Sequence, residues 1–189
     1  MRSFSFVAFC LLVAQIFLLF CETEASRGPN KLQRETPNSF KIFDIYNNAI
    51  AVMDIDGDAI LDCLSARRED YDPIAKSVTY VWSIAAPDGS GRKYVPFHFT
   101  EGDTTDTVKF TVTADGDEDA GIAKFVYTDY KNCAIMEVPH FGDQCTLWVT
   151  EDVQDSIPEH CLEQFADTCG NGASLHDADK CKGVDTPNK

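Results

Sequence analysis

Residues 131–169 read KNCAIMEVPHFGDQCTLWVTEDVQDSIPEHCLEQFADTC, and this stretch contains the clearest structural signals of the chain. Two short apolar runs, separated by residues typical of a turn, predict antiparallel strands at 131–138 and 144–150. A helix pattern follows the second strand. Four cysteines fall within these three elements, where they can cross-link the strands to the helix.

The predicted helix has signals at both ends. Ser156 begins a capping box that Glu159 completes, and Pro158 fits the first turn, where its missing N–H costs no hydrogen bond. Gly170 ends the helix. The apolar side chains between these ends share one broad face: Ile157, Cys161, Leu162, Phe165 and Cys169. Because an amphipathic helix buries such a face, we expect it to pack on the outside of the strands.

Upstream, β-branched and aromatic runs recur at intervals of about ten residues, with turn signals between them. Asp-Gly pairs at 56–57, 88–89 and 115–116 supply tight turns. The whole chain is therefore predicted to have eight strands, at 48–54, 59–66, 76–85, 92–100, 105–113, 121–127, 131–138 and 144–150. This pattern indicates an all-β antiparallel barrel or sandwich.

The first 25 residues have the composition of a signal peptide. Arg2 precedes the apolar run from Phe4 to Phe20, and the small residues Thr23 and Ala25 predict cleavage after Ala25. A membrane anchor is the less favoured alternative, because the run is short for a span and no basic stop-transfer cluster follows it. We expect a secreted protein with no membrane association after cleavage.

The rest of the chain is expected to form one domain. A flexible N-terminus at 26–35 precedes a domain at 36–183, and a polar C-terminal tail occupies 184–189. The domain is expected to open with a short helix that begins at Thr36 and ends near Tyr46.

Six cysteines remain after cleavage: Cys63, Cys133, Cys145, Cys161, Cys169 and Cys181. An even number in a secreted domain indicates disulfides rather than metal or redox chemistry, although the pairing stays open on spacing alone. The removed segment carries Arg2, Glu22 and Glu24, so cleavage changes the net charge from −15 to −14. Such an acidic chain argues against nucleic acid and anionic membranes as partners.

Catalytic and metal-binding motifs are missing from the sequence. Asp54, Asp56 and Asp58 resemble the start of a calcium loop, but Ala59 stands where the loop needs glycine, and Ser65 where it needs a bidentate glutamate. The histidines lack zinc spacing, and no nucleophile elbow, P-loop or HExxH motif occurs. We predict that the protein is not an enzyme, uses no cofactor or metal, and binds a ligand in the barrel.

Three segments carry a resemblance to a known family: NCAIMEVP at 132–139, QCTLWV at 144–149 and SIPEHCLEQF at 156–165, with a terminal cysteine after them. They are similar to the tick salivary lipocalins, the histamine-binding-protein family. The resemblance implies an eight-stranded antiparallel lipocalin barrel with a short N-terminal helix and a C-terminal α-helix on the barrel wall. It also implies three disulfides: Cys63–Cys181, Cys133–Cys161 and Cys145–Cys169.

Period-two alternation then assigns the faces of the last two strands. If Cys133 and Cys145 point outward to the helix, their alternating neighbours point into the lumen: Ala134, Met136, Thr146, Trp148 and Thr150. Trp82 joins these ligand-binding candidates from the third strand. Asp62 is a further candidate, because its neighbour Cys63 must face outward; the alternative places Asp62 in water at the rim.

Family members that hold histamine or serotonin share a Cys-Asp step, then Glu-Leu-(Trp/Tyr), then a later cysteine. This chain keeps the spacing, but Ala134 occupies the Asp position and Thr146 the Glu position. A buried ammonium needs a carboxylate partner, since its desolvation is otherwise too costly. We expect that amine subsite to be lost.

Three ligand hypotheses follow, in this order. The first is a small hydrophobic or amphipathic host mediator, such as a fatty acid, eicosanoid or sterol, because apolar residues in place of acids widen and dry the lumen. The second is a host protein bound by the outer surface, as some relatives do. The third is a biogenic amine held by other carboxylates, Asp62 among them. In each case the protein sequesters its target without turnover and so suppresses host defence.

Overall fold

The computed structural model describes residues 28–85, 91–114, 117–140 and 142–181. The predicted signal peptide, the first residues of the predicted flexible N-terminus, the Asp-Gly pairs at 88–89 and 115–116, and the C-terminal tail lie outside the described residues. Within them, no helix is long and apolar enough to cross a membrane.

Two α-helices, one 3₁₀ turn and nine strands make up the described part of the chain. Helix α1 spans Ser39–Ile45, the 3₁₀ turn spans Glu151–Val153, and helix α2 spans Glu159–Cys169. The strands are β1 Asn48–Asp54, β2 Ser65–Asp72, β3 Ser77–Ala85, β4 Arg92–Glu101, β5 Thr107–Ala114, β6 Asp117–Thr128, β7 Cys133–Val138, β8 Gln144–Val149 and β9 Ala173–Ser174.

Strands β1 to β8 form a closed antiparallel barrel. Each strand from β2 to β7 pairs with the next along the chain, and β1 lies between β8 and β2. The first residues of β1 pair with β2 and the later ones with β8, with an irregularity between Ala51 and Met53. The short β9 adds to the end of β1. The predicted fold class, an eight-stranded antiparallel lipocalin barrel with two helices, is confirmed.

The predicted second strand at 59–66 is wrong. Residues 55–64 form bends and turns, and β2 begins only at Ser65. Ala59 and Cys63 have positive φ angles of 65° and 55°, which an extended strand does not tolerate. Leu61 and Leu64 are nevertheless buried, because the turn folds back over the end of the barrel. An apolar run next to a turn signal therefore led to the prediction of a strand where the chain forms a turn.

The predicted helix starts were also displaced. Helix α2 begins at Glu159 after Pro158, without a side-chain cap from Ser156, whose N–H instead donates to the Val153 carbonyl at 3.0 Å. Helix α1 begins after Asn38, whose side-chain oxygen accepts from the Lys41 N–H at 3.0 Å. Before α2, a turn at 154–156 takes up the residue that the pattern assigned as the cap, whereas the residues just before α1 are extended and the helix begins three residues later than predicted.

The apolar core has two layers, separated by the wall of the barrel. One layer fills the lumen, and the other lies between strands β1, β7 and β8 and helix α2. Strand β8 is buried along its whole length because both of its faces are covered. The structure contains three disulfides, Cys63–Cys181, Cys133–Cys161 and Cys145–Cys169, which are the pairs that the resemblance implies. The last two join the wall directly to α2.

The segment before α1 is tied to the C-terminal end of α2. The Asp167 carboxylate accepts from the Lys31 and Leu32 backbone N–H groups, each at 2.9 Å, and pairs with the Arg34 guanidinium. These hydrogen bonds hold the pKa of Asp167 below its usual value, against the opposing effect of desolvation. The segment then crosses to α1, which lies across one end of the barrel.

Candidate functional site

An apolar cavity lies inside the barrel beneath α1. The space that the centre of a water molecule could reach inside it has a volume of about 50 Å³. A single water needs about 10–15 Å³ by such a measure, so the cavity accepts a few water-sized groups. It is lined by Ile42, Phe43, Tyr46, Ala49, Ala66, Tyr80, Trp82, Phe99, Phe125, Ala134, Met136 and Trp148.

The half of the lumen away from α1 is filled by aromatic side chains. The Trp82 and Phe97 rings stack with centroids 4.1 Å apart, and Phe97 continues to Phe110 at 6.0 Å. The imidazole of His140 meets the Phe97 ring edge to face at 5.2 Å. His140 Nδ1 lies 2.6 Å from a carboxylate oxygen of Asp119, and this hydrogen bond lowers the pKa of Asp119. This aromatic packing confines the cavity to the α1 side.

Helix α1 is held over the cavity by hydrogen bonds from the barrel. The Arg68 guanidinium donates to the Phe43 carbonyl, and the Tyr80 hydroxyl donates to the Tyr46 carbonyl. The Ser39 N–H donates to the Thr105 carbonyl at 2.8 Å. A helix of seven residues is not stable alone, so these contacts and its buried apolar face keep it in place.

Four of the predicted ligand-binding residues come together on the cavity wall: Trp82, Ala134, Met136 and Trp148. Ala134 lies directly opposite Trp148 across β7 and β8, and the Trp82 and Trp148 rings are 5.2 Å apart. These two are the only tryptophans of the chain.

Three other predicted residues do not line the cavity. Thr146 is completely buried, with its hydroxyl engaged by neighbouring groups. Thr150 follows the end of β8, and Asp62 lies half-buried in the turn between β1 and β2. Asp62 lies in this turn because β2 begins only at Ser65, not at residue 59 as predicted.

The described residues that line the cavity include no carboxylate. The buried carboxylates in the described part of the chain, Asp54 and Asp167, both lie outside the lumen. Asp54 accepts from the N–H groups of Ile55 at 2.8 Å and Cys145 at 3.3 Å. Desolvation by burial raises its pKa to about 6.

The part of the cavity wall that α1 and the middle strands provide was not predicted from the sequence. Phe43 and Tyr46 come from α1, and Phe99 and Phe125 come from β4 and β6. The alternation of Val95, Phe97 and Phe99 along β4 was a signal for an inward face. No local pattern indicates that α1 turns its apolar side into the barrel.

One group of possible metal ligands lies outside the lumen. Atoms of Asp129, Cys133, His160 and Cys161 lie within 4.8 Å of one another. Cys133 and Cys161 are joined as a disulfide, so they offer no thiolate to a metal. Asp129 instead accepts the Cys133, Asn132 and Lys131 N–H groups, and its pKa falls to about 2 because these bonds outweigh desolvation. The hydrogen bonds of Asp129 therefore stabilise the turn between β6 and β7.

A closed eight-stranded antiparallel barrel, with a helix across one end and a second helix on its wall, defines a lipocalin. The sequence profile described as tick histamine binding protein matches residues 56–182. The chain belongs to this family. The family and its fold neighbours are binding proteins, and this chain is accordingly not an enzyme.

Solved structures share the fold at low sequence identity. AM182 in complex with serotonin superposes with a TM-score of 0.55 at 17% identity, covering 77% of this chain and 94% of that chain. Japanin from Rhipicephalus appendiculatus, bound to cholesterol, gives a TM-score of 0.52 at 14% identity and covers 69% and 93%. The tryptamine complex of the amine binding protein of Rhodnius prolixus gives 0.51 at 14% identity and covers 84% and 95%. No curated protein sequence gives a significant match.

Proposed function

We propose that the protein is a secreted salivary lipocalin that sequesters a small, uncharged hydrophobic host mediator in its lumen. The observation that carries the proposal is the apolar cavity beneath α1, which has no carboxylate on its wall. Pockets of this kind bind ligands mainly through the apolar area that they remove from water. Binding is stoichiometric and involves no turnover.

The neutral wall disfavours a ligand that carries an ammonium group. Such a group loses its hydration in the lumen, and an unpaired buried charge is very costly. Ala134 offers a methyl group, and the Thr146 hydroxyl is already used by the protein. An uncharged ligand meets no such penalty.

The size of the cavity favours compact ligands over long ones. Space for a few water-sized groups suits a small ring system or part of an acyl chain. A sterol or a complete fatty acid requires the side chains beneath α1 to move apart. We expect Trp148 and the α1 side chains to make that movement, since α1 is the shorter of the two α-helices in the described part of the chain.

Native mass spectrometry of protein secreted from eukaryotic cells tests the proposal first. A tightly held adduct, identified after denaturation, names the ligand class directly. Titration of the emptied protein with cholesterol and the uncharged methyl ester of arachidonic acid follows, with intrinsic fluorescence as the readout. Because both tryptophans line the cavity, a ligand in the lumen must perturb their emission.

A matched pair of variants locates the ligand. Ala134→Leu fills the cavity and is expected to weaken binding at least tenfold, whereas Ala120→Leu adds the same atoms on an exposed part of β6 and leaves binding unchanged. Equal affinity in the two variants would place the ligand outside the lumen and contradict the proposal.

A biogenic amine is the second candidate. Its specific support is the aromatic character of the wall, since the faces of Phe43, Tyr80, Trp82 and Trp148 can attract a cation without a carboxylate. The family description and the serotonin complex of a fold neighbour motivate the same test. Calorimetric titration with histamine and serotonin decides it: submicromolar binding that Ala134→Leu abolishes would replace the uncharged ligand with an amine.

A further inference from the structure

The Thr146 hydroxyl is enclosed between two groups of the barrel wall. Strand alternation places Thr146 on the lumen side of β8, yet its side chain is completely buried. Its Oγ1 accepts a hydrogen bond from Trp148 Nε1 at 2.7 Å and lies 3.3 Å from the Met136 carbonyl oxygen, to which it donates. The hydroxyl therefore uses its donor and one of its acceptor positions in hydrogen bonds within the protein.

This contact decides which part of Trp148 faces the cavity. The indole N–H can only donate a hydrogen bond, and it donates to the Thr146 hydroxyl on the same strand. The rest of the ring lines the cavity and meets Trp82 at a tilt of 53°. Across the sheet, the small Ala134 leaves room for this arrangement.

We propose that Thr146 is a positioning residue: it satisfies the Trp148 indole N–H and thereby removes this donor from the cavity wall, which disfavours ligands that place a hydrogen-bond acceptor beside Trp148. The proposal rests on the proposed function and specifies the chemistry of the same site. It gives Thr146 a role through Trp148 instead of the direct ligand contact that strand alternation predicted.

The physical reason is the cost of an unsatisfied buried donor. With Thr146 present, a ligand acceptor gains no partner from Trp148 and loses its own hydration on entry. Without the hydroxyl, the indole N–H lies buried and free, so an acceptor on the ligand pairs with it. The difference between the two situations corresponds to about tenfold in relative affinity.

The test compares Thr146→Val with Thr146→Ser. Valine keeps nearly the same shape but removes the hydroxyl, and serine keeps the hydroxyl. The probes are naphthalene and quinoline, which have the same ring shape, while quinoline adds one neutral nitrogen acceptor. Their affinities are measured by displacement or calorimetry at about pH 8, where quinoline is uncharged. Far-UV circular dichroism checks that each variant is folded.

Wild type and Thr146→Ser are expected to bind naphthalene better than quinoline. Thr146→Val is expected to shift the ratio of affinities about tenfold toward quinoline. A purely structural role for Thr146 would weaken both probes equally and leave the ratio unchanged, and that result would overturn the proposal.

A second measurement needs no ligand. Hydrogen exchange of the Trp148 indole N–H, assigned by nuclear magnetic resonance with the help of Trp82→Phe, is expected to accelerate in Thr146→Val and to stay slow in Thr146→Ser. Unchanged exchange in Thr146→Val would refute the positioning role. Failure of naphthalene to bind wild type would instead contradict the proposed function for compact ligands, while the exchange rates still decide what Thr146 does.

Discussion

Asp54 offers a quantitative test of the electrostatics of this barrel. Its side chain is almost completely buried at the end of β1, where it accepts backbone N–H groups from Ile55 and Cys145. Burial disfavours the ionised form, and the neighbouring Asp56 carboxylate adds to that effect. Together they raise the pKa of Asp54 from 3.8 to about 6, although the two backbone hydrogen bonds oppose the shift.

The sign of the pH dependence follows from this raised pKa. Above about pH 6 the carboxylate is ionised in both the folded and the unfolded chain, and the folded state bears the full cost of burying the charge. As the pH falls toward 3.8, the folded state takes up its proton first and the cost disappears. A shift of this size corresponds to about 3 kcal/mol in the free energy of unfolding, as an upper limit.

Asp54→Asn removes the charge and keeps an oxygen that accepts the same two N–H groups. We expect it to raise the free energy of unfolding by about 1–3 kcal/mol at about pH 8 and to change it little at about pH 4. Urea unfolding followed by tryptophan emission gives both values. Asp143→Asn, at an exposed position in the β7–β8 turn, is the matched control and should alter neither.

The reasoning is refuted if Asp54→Asn lowers stability by the same amount at both pH values. That result would show that the carboxylate contributes through hydrogen bonds alone and that burial of its charge has no net cost. An increase in stability shared by the Asp143→Asn control would point to the net charge of the whole chain instead.

Three further predictions concern the disulfides, the ligand and α1. Cys63→Ala should lower the free energy of unfolding by about 2–5 kcal/mol and leave Cys181 as one titratable thiol; reactive thiols in the wild type would contradict the pairing. Ala134→Asp, alone and with Thr146→Glu, should create calorimetrically measurable histamine binding, and unchanged binding in Ala134→Asp would count against the position of Ala134 on the cavity wall. Arg68→Gln removes donors to the last carbonyls of α1, so stopped-flow ligand association and dissociation should both accelerate; equal rates would show that the ligand does not pass α1.

Most of the barrel could be predicted from the sequence, and each wrong prediction has a local structural cause. Alternation along β7 and β8 placed Ala134, Met136, Thr146 and Trp148 on the lumen side, because neighbouring residues of an extended strand must point to opposite sides. The prediction of a strand failed at 59–66, since a short apolar run is also buried when a turn folds over a barrel end. Cys63 has a positive φ angle because it lies in that turn, and a cysteine does not by itself predict such a backbone conformation.

The predicted ligand-binding residues divide in the same way. Trp82, Ala134, Met136 and Trp148 line the cavity because the direction of a strand side chain is a local property. Thr146 has the same direction, but it lies beneath Trp148 and is closed off. Whether an inward-pointing residue lines the cavity depends on how its larger neighbours are oriented. Strand alternation gives no information about that orientation.

By itself, the sequence determined the class of the fold, the two faces of its strands and the absence of acids at the two positions that resemble an amine site. These properties follow from residue identity and from the period of two in an extended chain. Only the tertiary structure decided where the lumen stays open. That space depends on how α1 and side chains from seven strands, far apart in the chain, fill a shared volume, and packing of this kind is a property of the assembled barrel.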